Sequence, residues 1–155
     1  MPLLLSKGAD PNKAAIYRDK DGDVIVTTPL YIAAMYEKTE VVRSLLESKA
    51  DPNEGARFTY KDAVVTVETP LNQAAYGEYT EVVSSLLERG ADPNEGARST
   101  DKDGDVEVET PLYWAAEGGY TKIVKILLAS GARQDLDTGG GERGCYHTSL
   151  LFLPH

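Results

Sequence analysis

The sequence predicts an α-helical solenoid carrying long β-hairpin insertions, on three observations. Thr-Pro-Leu is written at residues 28–30, 69–71 and 110–112, with starts 41 residues apart. A second marker keeps the same step: Gly8-Ala9-Asp10-Pro11-Asn12, Lys49 to Asn53, Gly90 to Asn94, and a decayed Gly131-Ala132-Arg133. Between each marker and the next Thr-Pro lie fifteen residues with the alternation of strands around a turn. A fixed period of a few tens of residues marks a stacked repeat, in which each unit buries its apolar face against its neighbours.

Taken in order, Met1-Pro2-Leu3-Leu4-Leu5 reads as the end of a helix closed by Gly8, so residues 1–12 are expected to be a partial repeat. Three repeats follow over about 13–53, 54–94 and 95–133. Each Thr-Pro opens a short first helix, over 29–36, 70–76 and 111–117, because the Thr hydroxyl caps free amides and Pro at the first position loses no hydrogen bond. The pairs Ala33-Ala34, Ala74-Ala75 and Ala115-Ala116 allow these helices close approach. Thr39, Thr80 and Thr121 are expected to cap the second helices. These carry Val41, Val42, Leu45 and Leu46 and their counterparts at i, i+1, i+4, i+5, which places them on one side. Lys49 occupies the left-handed cap position that Gly90 and Gly131 fill in the later repeats.

The insertions read as hairpins. Asp19-Lys20-Asp21-Gly22-Asp23 and Asp101-Lys102-Asp103-Gly104-Asp105 are turn sequences between β-formers. Val24 and Val26, Val65 and Val67, and Val106 and Val108 each share a face, and three such hairpins side by side form one small antiparallel sheet. The pattern leaves open a two-residue turn or a three-residue loop with a bulge. Residues 134–155 are read as a Gly-rich link, Gly139 to Gly144, followed by a tail or partial repeat in which Thr148 to Leu151 resembles another first helix.

With these motifs in hand, Gly-Ala-Asp-Pro-Asn, Thr-Pro-Leu-x-x-Ala-Ala, Thr-Glu-Val-Val and Leu-Leu in this order resemble ankyrin-type helix-turn-helix repeats, over roughly residues 3–133. The family's usual repeat is about 33 residues, and the eight extra residues here all fall in the β-turn region. Tyr31, Asn72 and Tyr113 stand where the family usually has His, and Glu37-Lys38, Glu78-Tyr79 and Gly119-Tyr120 replace its Gly-His. The resemblance implies a non-enzymatic module that binds another protein through the concave first-helix face and the hairpin tips. Carried onto this sequence, the expected partner-binding residues are Met35, Tyr36, Gln73, Tyr76, Trp114 and Glu117, with the acidic tips Asp19, Asp21, Asp23, Asp62, Asp101, Asp103 and Asp105. Aromatic residues of this kind are enriched at binding hot spots, although on short helices they equally pack between repeats. The alternative reading is a self-associating building block or part of a longer array, so a monomer or weak self-association is expected.

Composition narrows the classes further. A net charge of −9 disfavours nucleic acid and anionic membranes, whose recognition needs clustered Lys and Arg, and fits a basic protein partner. The sequence offers no signal peptide and no apolar run long enough to span a membrane, which fits a cytoplasmic, intracellular protein. An EF-hand match from Asp19 fails, because Val24 stands at the sixth position and Leu30 at the twelfth. Cys145 is the single cysteine, and with His147 it supplies too few ligands for structural zinc. The Gly-rich stretch at 139–144 lacks the Gly-Lys-Ser/Thr ending of a phosphate loop. No cofactor, metal or catalytic residue is expected.

Overall fold

The computed structural model describes residues 7–133 and, for the backbone alone, 144–147. The helical turns expected at residues 1–5, the glycines at 139–141 and the helix-like stretch at 148–151 lie outside the described residues. The elements run β1 (Ala15–Arg18), β2 (Val24–Thr27), α1 (Pro29–Met35), α2 (Thr39–Glu47), β3 (Ala56–Thr59), β4 (Val65–Glu68), α3 (Pro70–Tyr76), α4 (Thr80–Glu88), β5 (Ala97–Thr100), β6 (Val106–Glu109), α5 (Pro111–Glu117), α6 (Thr121–Ala129) and β7 (Gly144–His147).

The first helices start as the Thr-Pro pairs dictate. The hydroxyls of Thr28, Thr69 and Thr110 accept the backbone N–H of Tyr31, Asn72 and Tyr113 at 3.2, 3.1 and 3.2 Å. Each Thr is extended and each Pro sits in the first turn. Thr28 also donates to the Glu54 carbonyl at 3.0 Å, tying the helix start to the next repeat.

The second helices begin differently from the expectation. Thr39, Thr80 and Thr121 are their first helical residues; Lys38, Tyr79 and Tyr120 are the caps, and none makes a side-chain cap hydrogen bond. The reason lies in the preceding turn. Glu37, Glu78 and Gly119 adopt left-handed φ of 55°, 62° and 71°. The reversal is therefore complete one residue early, and the Thr amides bond back to those three carbonyls at 2.9, 3.0 and 2.9 Å. Lys49 is left-handed as expected, with φ 69°.

Helices stack in two columns, α1 on α3 on α5 and α2 on α4 on α6. One continuous core runs through both: Leu30, Val42, Leu45, Leu71, Val82, Leu86, Leu112, Ile123 and Leu127 are all buried, with Ala33, Ala34, Ala74, Ala75 and Ala115 between them. Beside the columns the hairpins form one sheet in chain order, antiparallel from β1 to β6. Pairing between hairpins joins Val26 to Arg57 and Val67 to Arg98, so each descending strand bonds to the next ascending one. A seventh strand extends the sheet: β7 pairs in parallel with β6, from Val106↔Gly144 to Glu109↔His147. Gly144, expected in the link, begins that strand.

The tips are three-residue loops. Asp19 N–H donates to the Asp23 carbonyl at 3.1 Å, and Gly22 takes φ 95°. The Asp19 carboxylate accepts the N–H of Asp21 and Asp23 at 2.9 and 3.0 Å, and Asp101 repeats this with Asp103 and Asp105. In the middle hairpin Tyr60 replaces that Asp and Ala63 is forced to φ 70°. Compensation comes from the neighbouring hairpin, where the Asp23 carboxylate accepts the Lys61 N–H at 2.9 Å.

Candidate functional site

The face of the sheet that carries Phe58 and Glu68 looks onto the first helices, and together they form the inner surface of the stack. Tyr31, in the position the family usually gives to His, links the two. Its ring is buried edge-on to Phe58, with centroids 6.5 Å apart, and Phe58 stacks in turn on Tyr60. Its hydroxyl donates to the Glu68 carboxylate at the end of β4 and lies 3.3 Å from Gln73 Oε1 on α3. Burial first, and then the bond to Glu68, push the Tyr31 hydroxyl well above the usual phenol range, so it remains a donor.

Between the second and third repeats the inner surface opens into a pocket of about 250 Å³. Glu68, Gln73 and Tyr76 line it from one repeat, and Glu109 and Trp114 from the next. Tyr76 and Trp114 meet at a right angle, with centroids 5.0 Å apart and planes at 88°. Trp114 is braced from behind by Tyr113 at 5.3 Å. Asn72 is buried at the floor. With its amide oriented to satisfy both neighbours, its nitrogen donates to the Glu109 carbonyl at 3.0 Å and its oxygen accepts from Trp114 Nε1 at 3.3 Å. Burial, and then the charges of Glu117, Glu109 and Glu107, raise the Tyr113 phenol above its usual value.

Of the residues expected to bind a partner, Gln73, Tyr76 and Trp114 converge on this pocket. Tyr36 does not join them. It caps the end of α1 and lines a separate, largely apolar groove of about 420 Å³ with Lys13, Ile32, Lys38 and Val41. Tyr36 is aligned in the repeat with Gly77 and Gly118, whereas Tyr76 is aligned with Met35 and Glu117. Met35 is half-buried and Glu117 is exposed.

The acidic tips divide as well. Asp19 and Asp101 turn their carboxylates onto their own loop amides, and Asp23 serves Lys61. Asp62 accepts the Val64 N–H at 3.3 Å. Asp21, Asp103 and Asp105 are exposed. Among the described residues, no group of three or more His, Cys, Asp or Glu is arranged to hold a metal ion. No helix among them is long and apolar enough to cross a membrane.

Sequence reasoning missed Glu68, Asn72 and Glu109. A signal was present, because the residue before each Thr-Pro alternates in phase opposite to the valines and therefore faces inward.

Each second marker also clamps the next repeat. The Asn12, Asn53 and Asn94 side chains accept the N–H of Asp51, Asp92 and Arg133 at 2.6, 2.7 and 2.7 Å, and donate to the carbonyls of Lys49, Gly90 and Gly131. The repeat is thus defined by contacts as well as by spelling. No curated protein matches the chain significantly. A family model described as ankyrin repeats, three copies, matches residues 1–97 and 54–138. With most of its length covered by that match, the chain belongs to the ankyrin-repeat family.

Proposed function

We propose that this protein is a non-enzymatic interaction module that binds a partner protein on its inner surface. Ankyrin repeats generally mediate protein–protein interaction. The observation that carries the site assignment is the aromatic corner of Tyr76 and Trp114 beside Glu68 and Glu109, with Tyr76 56% exposed. A large aromatic side chain left in solvent at a concave, mixed-polarity pocket is the usual anatomy of a binding hot spot. The exposed tips Asp21, Asp103 and Asp105 extend the same negative character and favour a basic partner in a cytoplasmic setting.

The test compares capture of partner proteins by the wild-type chain and by Tyr76→Ala and Tyr36→Ala. Tyr76→Ala is expected to weaken capture by about 2 kcal/mol while leaving the far-ultraviolet dichroism unchanged. Undiminished capture by that variant would remove the inner surface from the assignment.

A second reading, self-association, is favoured by the groove along the first repeat. There Ile32 is 39% exposed and Val41 is half-buried, whereas the equivalents of Val41 in the later repeats, Val82 and Ile123, are 0% and 1% exposed. Light scattering over a range of concentrations separates the readings, since only association makes the mass grow with concentration.

A further inference from the structure

We infer that the groove along the first repeat receives an acidic amphipathic helix of a partner protein. This is a second site, at the end of the stack, apart from the inner-surface pocket at Tyr76 and Trp114. The groove has a volume of about 420 Å³, and its floor is apolar, with Pro29, Ile32, Tyr36 and Val41. Lys13 and Lys38 line it as well, and no Asp or Glu does. A lysine on an apolar wall lays its stem along the surface and keeps its ammonium in water at the rim. The ion pairs among the described residues are those of Arg43 with Glu40 and Glu81, so neither ammonium has a carboxylate partner there. Residues 1–6 carry no Asp or Glu either. In a chain of net charge −9 this groove is locally basic, and it complements a helix with carboxylates beside its apolar face.

The later repeats show what fits this place. Ala56 and Val82, the equivalents of Ala15 and Val41, are buried where α1 stacks on α3 and α2 on α4. Ala15 is exposed and Val41 is half-buried. The groove is thus shaped as a seat for a helix, and a helix laid in it continues the interface that already joins successive repeats. Its side chains differ from those of the other seats in a coordinated way. A Cβ at Gly77 or Gly118 would lie 2.5 Å from the ring of Tyr79 or Tyr120, which packs partly buried against the core. The first repeat has Tyr36 and Lys38 at these positions, both exposed. Its aromatic ring therefore stands at the groove in place of the core, and Ile32 stands where the next repeat has Gln73. Exposed apolar side chains beside two cations suit a helix that brings its own apolar face. A second copy cannot continue the stack from its other end in the manner of β2 on β3, because the outer edge of β6 is already paired with β7.

The probes are labelled, capped peptides of about 20 residues, long enough to hold a helix in water. One has a Leu-x-x-Ala-Ala face bordered by glutamates, and its twin has glutamine in their place. Fluorescence anisotropy against the full chain is expected to show saturable binding of the glutamate peptide. The twin should bind about tenfold more weakly, the sum of two exposed ion pairs. Replacing both lysines, Lys13→Gln with Lys38→Gln, should lower the glutamate peptide to the level of its twin and leave the twin unchanged. Tyr36→Ala should weaken both peptides about tenfold at unchanged far-ultraviolet dichroism. Tyr76→Ala should change neither, so this inference and the inner-surface reading fail separately. Equal binding of the two peptides, no saturable binding of either, or indifference to the lysine replacements overturns the inference. A mass that grows with concentration in light scattering, and stops growing in Tyr36→Ala, gives the groove to a second copy and overturns it as well.

Discussion

Asn53 Oδ1 accepts the backbone N–H of Asp92 at 2.7 Å, across 39 residues of sequence. The same carboxamide donates to the Gly90 carbonyl at 3.4 Å, so one side chain satisfies the end of α4 and the start of the next turn. Asn53→Ala removes both bonds and leaves two backbone groups to compete for water. Urea unfolding is expected to show a loss of about 1–2 kcal/mol. A midpoint equal to wild type would show that solvent replaces the clamp at no cost.

Ala63 and Lys49 carry left-handed backbones, with φ 70° and 69°, where the other repeats have glycine. A side chain there costs about 1–2 kcal/mol, partly offset by the extra entropy glycine gains on unfolding. Ala63→Gly and Lys49→Gly are each expected to raise stability by up to about 1 kcal/mol, and the two effects should add, since the residues lie in different loops. A lower melting temperature in either variant would contradict the strain.

The tip aspartates are separable by role. Asp19→Ala deletes the acceptor for two loop amides and should cost about 1 kcal/mol in thermal unfolding. Asp21→Ala touches no such bond and should stay within about 0.5 kcal/mol. If the tips contact the partner, Asp103→Ala should weaken capture without altering the melting temperature.

Glu95 is partly buried at the foot of β5. Burial, and then the charge of Asp92, raise its carboxyl above the usual 4.5, while Arg98 pulls it back. The folded state therefore holds this proton more tightly than the unfolded one, and stability falls as pH rises from 4.5 through the folded value. Glu95→Gln removes the cost. Its melting temperature is expected to exceed wild type at neutral pH, with the difference closing below the carboxylate range.

The repeat phase, the helix starts and the hairpins were legible because each rests on local chemistry: a hydroxyl cap, a fixed proline φ, alternating valines. Gln73, Tyr76 and Trp114 were legible as candidates because a shared repeat position implies a shared face. The second-helix caps were misread, since the turn at Glu37 and Glu78 hides in residues that seldom adopt positive φ. Three-residue tips were undecided because Asp-Gly serves both loop types, and only the ladder phase at Asp19 and Asp23 chooses. Glu68 and Asn72 escaped notice because their partners, Tyr31 and Trp114, lie 37 and 42 residues away. The parallel pairing of β7 has no local signature at all, as strand direction is set by where the preceding chain crosses.

Pairing of β2 with β3 and β4 with β5 has a mechanical consequence. The ladder bonds between hairpins point along the axis on which the helices stack. Tension along that axis loads those ladder bonds together with the apolar contacts between stacked helices. Torsion is resisted differently, because the sheet and the helix columns are two rails joined at every Thr-Pro, and turning one repeat must shear both. Successive repeats are thereby held to one another twice, by the strand ladder and by the helix columns, and both fix the bearing of inner-surface side chains from one repeat to the next.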